Sequence, residues 1–276
     1  MGGKGDAMNQ AEVGVCMLIH GHPTYYLAGR QALLSVLRRS DFQIFLVTDH
    51  LYKIGMFRRK RLQVHQLGPV EQQVRARRFL AKFSALEAFL ANTESELVML
   101  LDADAVLVRD ITAEDIRTAL DGRGLGMVEQ TTILNSTMSR IDFLQHYQRH
   151  SLVWLDPQAQ APALEDYRFY NSGVVLAQRQ EMERFCSWAR QMLAQRPGDH
   201  RVGEHIITDQ DYFQYYANNL HPESCRELSW RWNHCEHWDK GFPRPDAYVA
   251  HFSNFCLRPG WRQLRRIRAA WRQGLG

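Results

Sequence analysis

The stretch that most constrains the fold is Leu97-Val98-Met99-Leu100-Leu101-Asp102-Ala103-Asp104-Ala105-Val106-Leu107-Val108. Five apolar residues, two carboxylates and a second apolar run make a poor solvated loop. The pattern predicts a buried parallel strand that ends at a site. Residues i and i+2 of an extended chain project to the same side, so Asp102 and Asp104 are expected to face one point in space. Two like charges about 4 Å apart repel by roughly 4 kcal/mol at an effective dielectric of about 20, a large share of a folding free energy of about 5–15 kcal/mol. A positive partner is therefore needed. A hard divalent cation with oxygen ligands, its remaining shell open to phosphate, meets that need. Helix capping, or pairing with Arg109, is the other reading of the same acids.

Size and composition bound the rest. With 276 residues, 45% hydrophobic and 23% charged, the chain has the apolar mass for one large α/β domain or two small ones. The five cysteines Cys16, Cys186, Cys225, Cys235 and Cys256 are scattered without a CxxC pair. Reduced thiols in a cytoplasmic setting are expected, rather than a disulfide framework. His234-Cys235-Glu236-His237 is rich in ligand types, but no second cluster stands at zinc spacing. No run approaches the roughly 18 apolar residues of a membrane span, and residues 1–10 are Gly-rich and polar. Neither a signal peptide nor an N-terminal anchor is expected. The net charge of +4 is unevenly placed: residues 258–272 hold six arginines and no acid.

In chain order, residues 13–19 read as a first strand broken by His20-Gly21-His22-Pro23, residues 24–39 as a helix, and residues 42–47 as a second strand ending at Thr48-Asp49. Such a unit is a right-handed crossover whose strand ends suit nucleotides. Without GxGxxG, a dinucleotide cofactor is not indicated. Residues 70–90 read as a helix bearing Arg75, Arg77, Arg78 and Lys82. Arg78 and Lys82, one turn apart, are the preferred pair for a diphosphate, with a solvated helix face as the alternative. Asp110 or Thr112 is expected to cap a helix, and residues 124–129 to form a strand. Residues 133–163, with Pro157 and Pro162, read as loop carrying acceptor-binding or lid segments. Tyr170-Asn171-Ser172-Gly173-Val174-Val175-Leu176-Ala177 is a strand with a polar start, and residues 182–193 an amphipathic helix. Thr208-Asp209-Gln210-Asp211 opens another helix whose acids suit its first turn. Residues 229–233 and 248–253 are the last strand candidates, and His251 is either a satisfied core histidine or a ligand.

Leu-Asp-Ala-Asp after an apolar run, Tyr-Asn-Ser-Gly-Val-Val-Leu, Asp-Gln-Asp, Trp-Arg-Trp-Asn and a late His-Phe-Ser followed by Arg-Pro-Gly-Trp together resemble glycosyltransferase family 8 over residues 13–261. That family includes glycogenin and bacterial lipopolysaccharide galactosyl- and glucosyltransferases. The resemblance implies a GT-A fold, a Rossmann-like nucleotide-binding half joined to an acceptor half over one central mixed sheet, spanning residues 1–257 with a basic tail from 258. It implies a retaining, manganese-dependent transfer of a hexose from a UDP-sugar, UDP-galactose or UDP-glucose, with magnesium as a substitute. It casts Asp102, Asp104 and His251 as metal ligands, and Arg78, Lys82, Ala103, Asn171, Ser172 and Arg258 as donor-binding positions. Asp209 and Gln210 match the pair beside the anomeric carbon. The sequence departs from the family's closing motif at Asn254, at Arg258 and at the inserted Gly260, and its first strand lacks the usual uracil contacts.

By this resemblance Gln210 orients a front-face attack, with Asp209 as covalent nucleophile the second option. A haloacid dehalogenase-type phosphatase, whose Asp-x-Asp follows its first strand, and an inactive sugar-nucleotide-binding scaffold are the rivals. Nucleic acid is not expected, since only the tail combines basic and aromatic residues. Trp261, Leu264, Ile267 and Trp271 at helical spacing among arginines read as an interfacial helix seated at the inner face of a membrane, which suits a glycan or lipid-linked acceptor. The alternative is a helix packed on the domain.

Overall fold

Alternation along the first strand sets the layering. In the computed structural model, which describes residues 12–55, 60–67, 80–130, 139–196, 200–236, 242–253 and 261–273, strand β1 (Val13–Ile19) turns Val13, Val15, Met17 and Ile19 into one apolar cluster and Cys16 into another. This is the two-residue period of extended chain. A sheet buried on both faces follows, with helices on each side.

Helix α1 (Pro23–Arg39) leaves β1 through His22, whose side chain caps its start, and returns to β2 (Gln43–Thr48), parallel to β1. A short α2 (Leu51–Ile54) precedes β3 (Leu62–Gln66), parallel to β2. Of the helix expected over residues 70–90, α3 (Ala81–Asn92) lies within the described residues; Arg75, Arg77 and Arg78 lie outside them. The apolar run then departs from expectation. It forms not one strand but two, β4 (Leu97–Leu101) and β5 (Ala105–Leu107), in different sheets. Between them the Ala105 N–H donates to the Asp102 carbonyl at 3.1 Å, closing a β-turn, for which Asp at the first position is well suited. Arg109 stacks over Tyr248 rather than pairing with these acids.

Helix α4 (Ala113–Leu120) begins at Thr112, one of the two expected caps, through a capping box with Asp115. It is followed by β6 (Leu125–Glu129). The loop expected over residues 133–163 is in part helical. A capping box of Ser139 and Asp142 starts α5 (Arg140–Tyr147), which runs on through a π-helical stretch (Gln148–Leu152) to Leu155. Strand β7 (Tyr170–Gln178) pairs antiparallel with both β4 and β6. Helix α6 (Arg179–Gln195), the hairpin β8 (Arg201–Val202) and β9 (His205–Ile206), and α7 (Asp209–Tyr215) follow. Strand β10 (Cys225–Leu228) is parallel to β6. Residues 229–233, expected as strand, contain a 3-10 turn (Trp230–Trp232), because Trp232 is buried flat against Tyr248 with ring centroids 4.6 Å apart. Strands β11 (His234–Cys235) and β12 (Val249–His251) join β5 in a small second sheet.

The main sheet has the order β10-β6-β7-β4-β1-β2-β3. Its β3-β2-β1-β4 half is parallel and doubly wound, as in a Rossmann-like unit; β4 is therefore parallel on one edge and antiparallel on the other. Helices α1 and α4 cover one face, while α3, α5, α6 and α7 cover the other. The last helix, α8 (Trp261–Gln273), sets Leu264, Ile267 and Ala270 into the cluster that holds α1. Leu264 and Ile267 of its apolar stripe are thus packed on the domain. Trp261 and Arg262, Arg265, Arg268 and Arg272 face outward, and Arg266 pairs with Glu236. Among the described residues no helix is long and apolar enough to cross a membrane.

Candidate metal and donor site

In a doubly wound sheet, ligands settle beyond the carboxyl ends of the strands where the strand order reverses. Here that point lies between β1 and β4, and a cleft of about 870 Å³ opens there. One end is lined by His20, His22, Tyr25, Asp49 and His50, the other by Lys82, the Asp102–Asp104 turn, Asn171, Ser172, Asp209, Gln210 and His251. The volume suits a nucleotide-sized ligand.

The turn presents both carboxylates to one imidazole. His251 Nε2 stands 3.3 Å from Asp104 Oδ1 and 3.9 Å from Asp102 Oδ2. One donor atom from each of the three lies within 4.8 Å of the others. Two backbone bonds fix the geometry: the Asp102 N–H donates to the Gly173 carbonyl at 2.9 Å, and the Phe252 N–H to the Asp104 carbonyl at 3.0 Å. On its far side, His251 Nδ1 is 2.8 Å from Asn233 Oδ1, and Asn233 Nδ2 donates to Asn171 Oδ1 at 2.7 Å. The amide oxygen can only accept, so Nδ1 carries a proton and Nε2 is the nitrogen that faces the acids. Gly173 is needed for close approach: a Cβ there would come within 2.0 Å of the His251 ring. Burial disfavours an imidazolium, but the neighbouring Cys235 and Asp104 outweigh it and hold the His251 pKa well above its ordinary value.

Lys82 is the second source of positive charge. Its ammonium lies 2.8 Å from Asp102 Oδ1 and 2.6 Å from Asp209 Oδ2, and Ser172 Oγ donates to the same Asp209 oxygen at 2.8 Å. Burial would drive off the lysine proton, yet the two carboxylates hold its pKa above the usual range. Burial raises the Asp209 pKa, and Lys82 and Ser172 work against that rise.

Of the residues expected at the site, Asp102, Ala103, Asp104, Lys82, Asn171, Ser172, Asp209, Gln210 and His251 all line this cleft. Arg78 and Arg258 lie outside the described residues. In the cleft, Asn171 Oδ1 accepts from the Gly173 N–H and from Asn233 Nδ2, and Ser172 Oγ donates to Asp209. Asn233 and Gly173 as supports of His251, and His22, Asp49 and His50 at the far end, went unassigned from sequence. Two carboxylates with one imidazole suit a borderline divalent ion such as manganese better than magnesium, which favours an all-oxygen shell. No family model matches the chain, and no curated protein sequence matches it.

Proposed function

We propose that the protein is a metal-dependent, retaining glycosyltransferase of GT-A architecture that moves a hexose from a UDP-sugar to a hydroxyl of a glycan or lipid-linked acceptor. One observation carries the reading: Asp102, Asp104 and His251 converge at the topological switch point, with Asp209 and Gln210 on the same cleft. The parallel half-sheet extended by the antiparallel β7 supports the GT-A assignment, as does the ordered series of family-like motifs.

Asp102, Asp104 and His251 would hold the ion, manganese in the first instance. When bound it supplies Lewis-acid stabilisation of the diphosphate leaving group. Lys82 bridges Asp102 and Asp209 and adds a positive charge at the leaving-group end. The bond from the anomeric carbon to the phosphate oxygen breaks while the acceptor oxygen bonds to that carbon on the same face, and the acceptor proton passes to the departing phosphate oxygen. Gln210 orients the anomeric centre. Asp209 is a weak candidate nucleophile, because Lys82 and Ser172 both occupy its Oδ2. The phosphatase alternative draws no support: its acids belong after a first strand, whereas these follow the fourth. The outward arginines of α8 suit the electrostatic attraction of an anionic lipid surface, placing the enzyme beside a lipid-linked acceptor.

The test is hydrolysis and transfer from a panel of UDP-sugars with manganese, magnesium or chelator. Manganese-dependent release of UDP supports the reading; release of inorganic phosphate, or no turnover of any sugar nucleotide, rejects it.

A further inference from the structure

Away from the cleft, three histidines meet. His146 and His150 come from the helical run behind Ser139, and His205 from the β8–β9 hairpin, with ring centroids 4.5, 4.7 and 4.7 Å apart in pairs. All three are partly buried, and the proposed reaction uses none of them. Their nitrogens do not form a ready metal cage: among the described residues, the convergent group of three metal-type donors is Asp102, Asp104 and His251. What clustered imidazoles can do is take up protons, and each proton gained sets like charges one ring apart.

The surroundings of the cluster are mixed. The charged groups facing it are Asp211 on α7, whose Oδ1 is 3.3 Å from His205 Nε2, and Arg149 on the helical run. His150 also bonds to the backbone of Val202 in the hairpin, and its Nδ1 is buried without a hydrogen bond. Burial, then the charge of His205, lowers the pKa of His146 and of His150, and His150 adds to the lowering at His146; Asp211 acts in the opposite sense and Arg149 adds to the lowering at both. Asp211 is also the mechanical link. Its Oδ1 accepts from Ser151 Oγ at 2.6 Å, and its Oδ2 accepts from the Thr208 N–H at 2.8 Å and from Thr208 Oγ1 at 3.0 Å. One buried carboxylate thus ties the hairpin, the helical run and the residue ahead of Asp209 and Gln210.

The geometry points to a proton-operated latch: when the His146–His150–His205 cluster gains protons, like charge parts the β8–β9 hairpin from the helical run, and the loosening passes through Asp211 to Thr208, Asp209 and Gln210. The effect on transfer rests on the proposed function; the parting of the hairpin does not.

Amide hydrogen exchange of the full chain without donor, corrected for the intrinsic pH dependence of exchange, reads the latch directly. Protection at residues 201–206 falls several-fold between about pH 7.5 and about pH 5.5, since each unit of pKa depression is worth about tenfold in the opening equilibrium. In the doubly substituted His146→Gln, His150→Gln protein that dependence disappears. Unchanged protection in the unsubstituted protein, or an equal loss in the substituted one, overturns the latch. Should the substituted chain not fold, imidazole proton signals of the unsubstituted protein decide. Histidines of the cluster titrating together with the exchange change support the latch; titration with no change at residues 201–206 overturns it. A hairpin that parts in a protein unable to use UDP-sugars leaves the latch standing and removes the transferase reading.

Discussion

His251 and the His146–His150–His205 cluster are the same side chain in opposite electrical settings. Both settings are partly or wholly desolvated, which disfavours an imidazolium in each. At His251 burial is overcome by Cys235 and Asp104, and the pKa rises; at His146 and His150 burial is reinforced by the neighbouring histidines, and the pKa falls. Neighbours, rather than depth alone, decide the outcome. One place sets an imidazole beside carboxylates, and the other sets imidazoles beside one another.

The contrast breaks most sharply at the acids. Asp104→Asn removes one anionic ligand, and transfer is expected to fall on the order of a thousandfold, about 4 kcal/mol of barrier, measured as manganese-dependent UDP release. The next largest effect is on stability. Lys82→Met leaves Asp102 and Asp209 without their shared cation, a loss of about 3–5 kcal/mol in denaturant unfolding. Asn233→Ala frees the His251 ring from its orienting oxygen, so manganese affinity is expected to drop roughly 10–100-fold in calorimetry, while His146→Gln leaves it unchanged.

Acidity separates the two settings by sign. An ion at His251 must displace a proton held by a raised pKa, so manganese affinity falls by about tenfold per unit as pH drops below that pKa. Without metal, the contribution of His251 to stability is complete below the unfolded value of about 6.5 and is lost as pH rises through the folded pKa. His146 and His150, with lowered folded values, contribute above about 6.5 and lose that contribution as pH falls. The smallest expected change is therefore on the acid side of the melting profile, where substituting both by glutamine flattens the decline and His251→Gln does not.

Much of this was legible in the sequence, and the misses have physical causes. The strands over residues 13–19 and 170–177 and the acid doublet stood out, because carboxylates inside an apolar run have few tolerable environments. The break of that run into β4 and β5 was hidden because apolar residues flank the acids on both sides, although Asp102 and the small Ala103 suit a turn. The helical run from Arg140 carried its signal in Ser139 and Asp142, but Pro157 and Pro162 drew the reading toward loop; both lie beyond the helix end. Trp230-Arg231-Trp232 alternates like a strand and becomes a 3-10 turn only because Trp232 finds Tyr248. That long-range contact also sets Asn233 against His251. The histidine cluster joins residues 146 and 205 edge to face, a juxtaposition that only the fold creates.

A divalent cation shared by Asp102, Asp104 and His251 is the claim on which the rest stands, and spectroscopic titration of manganese into the full chain, with and without UDP, tests it most directly. A single ion is expected to bind, held more tightly when UDP is added and lost in Asp104→Asn and in His251→Ala. A chain that binds no manganese, or binds it equally well after both substitutions, has no metal centre at these residues.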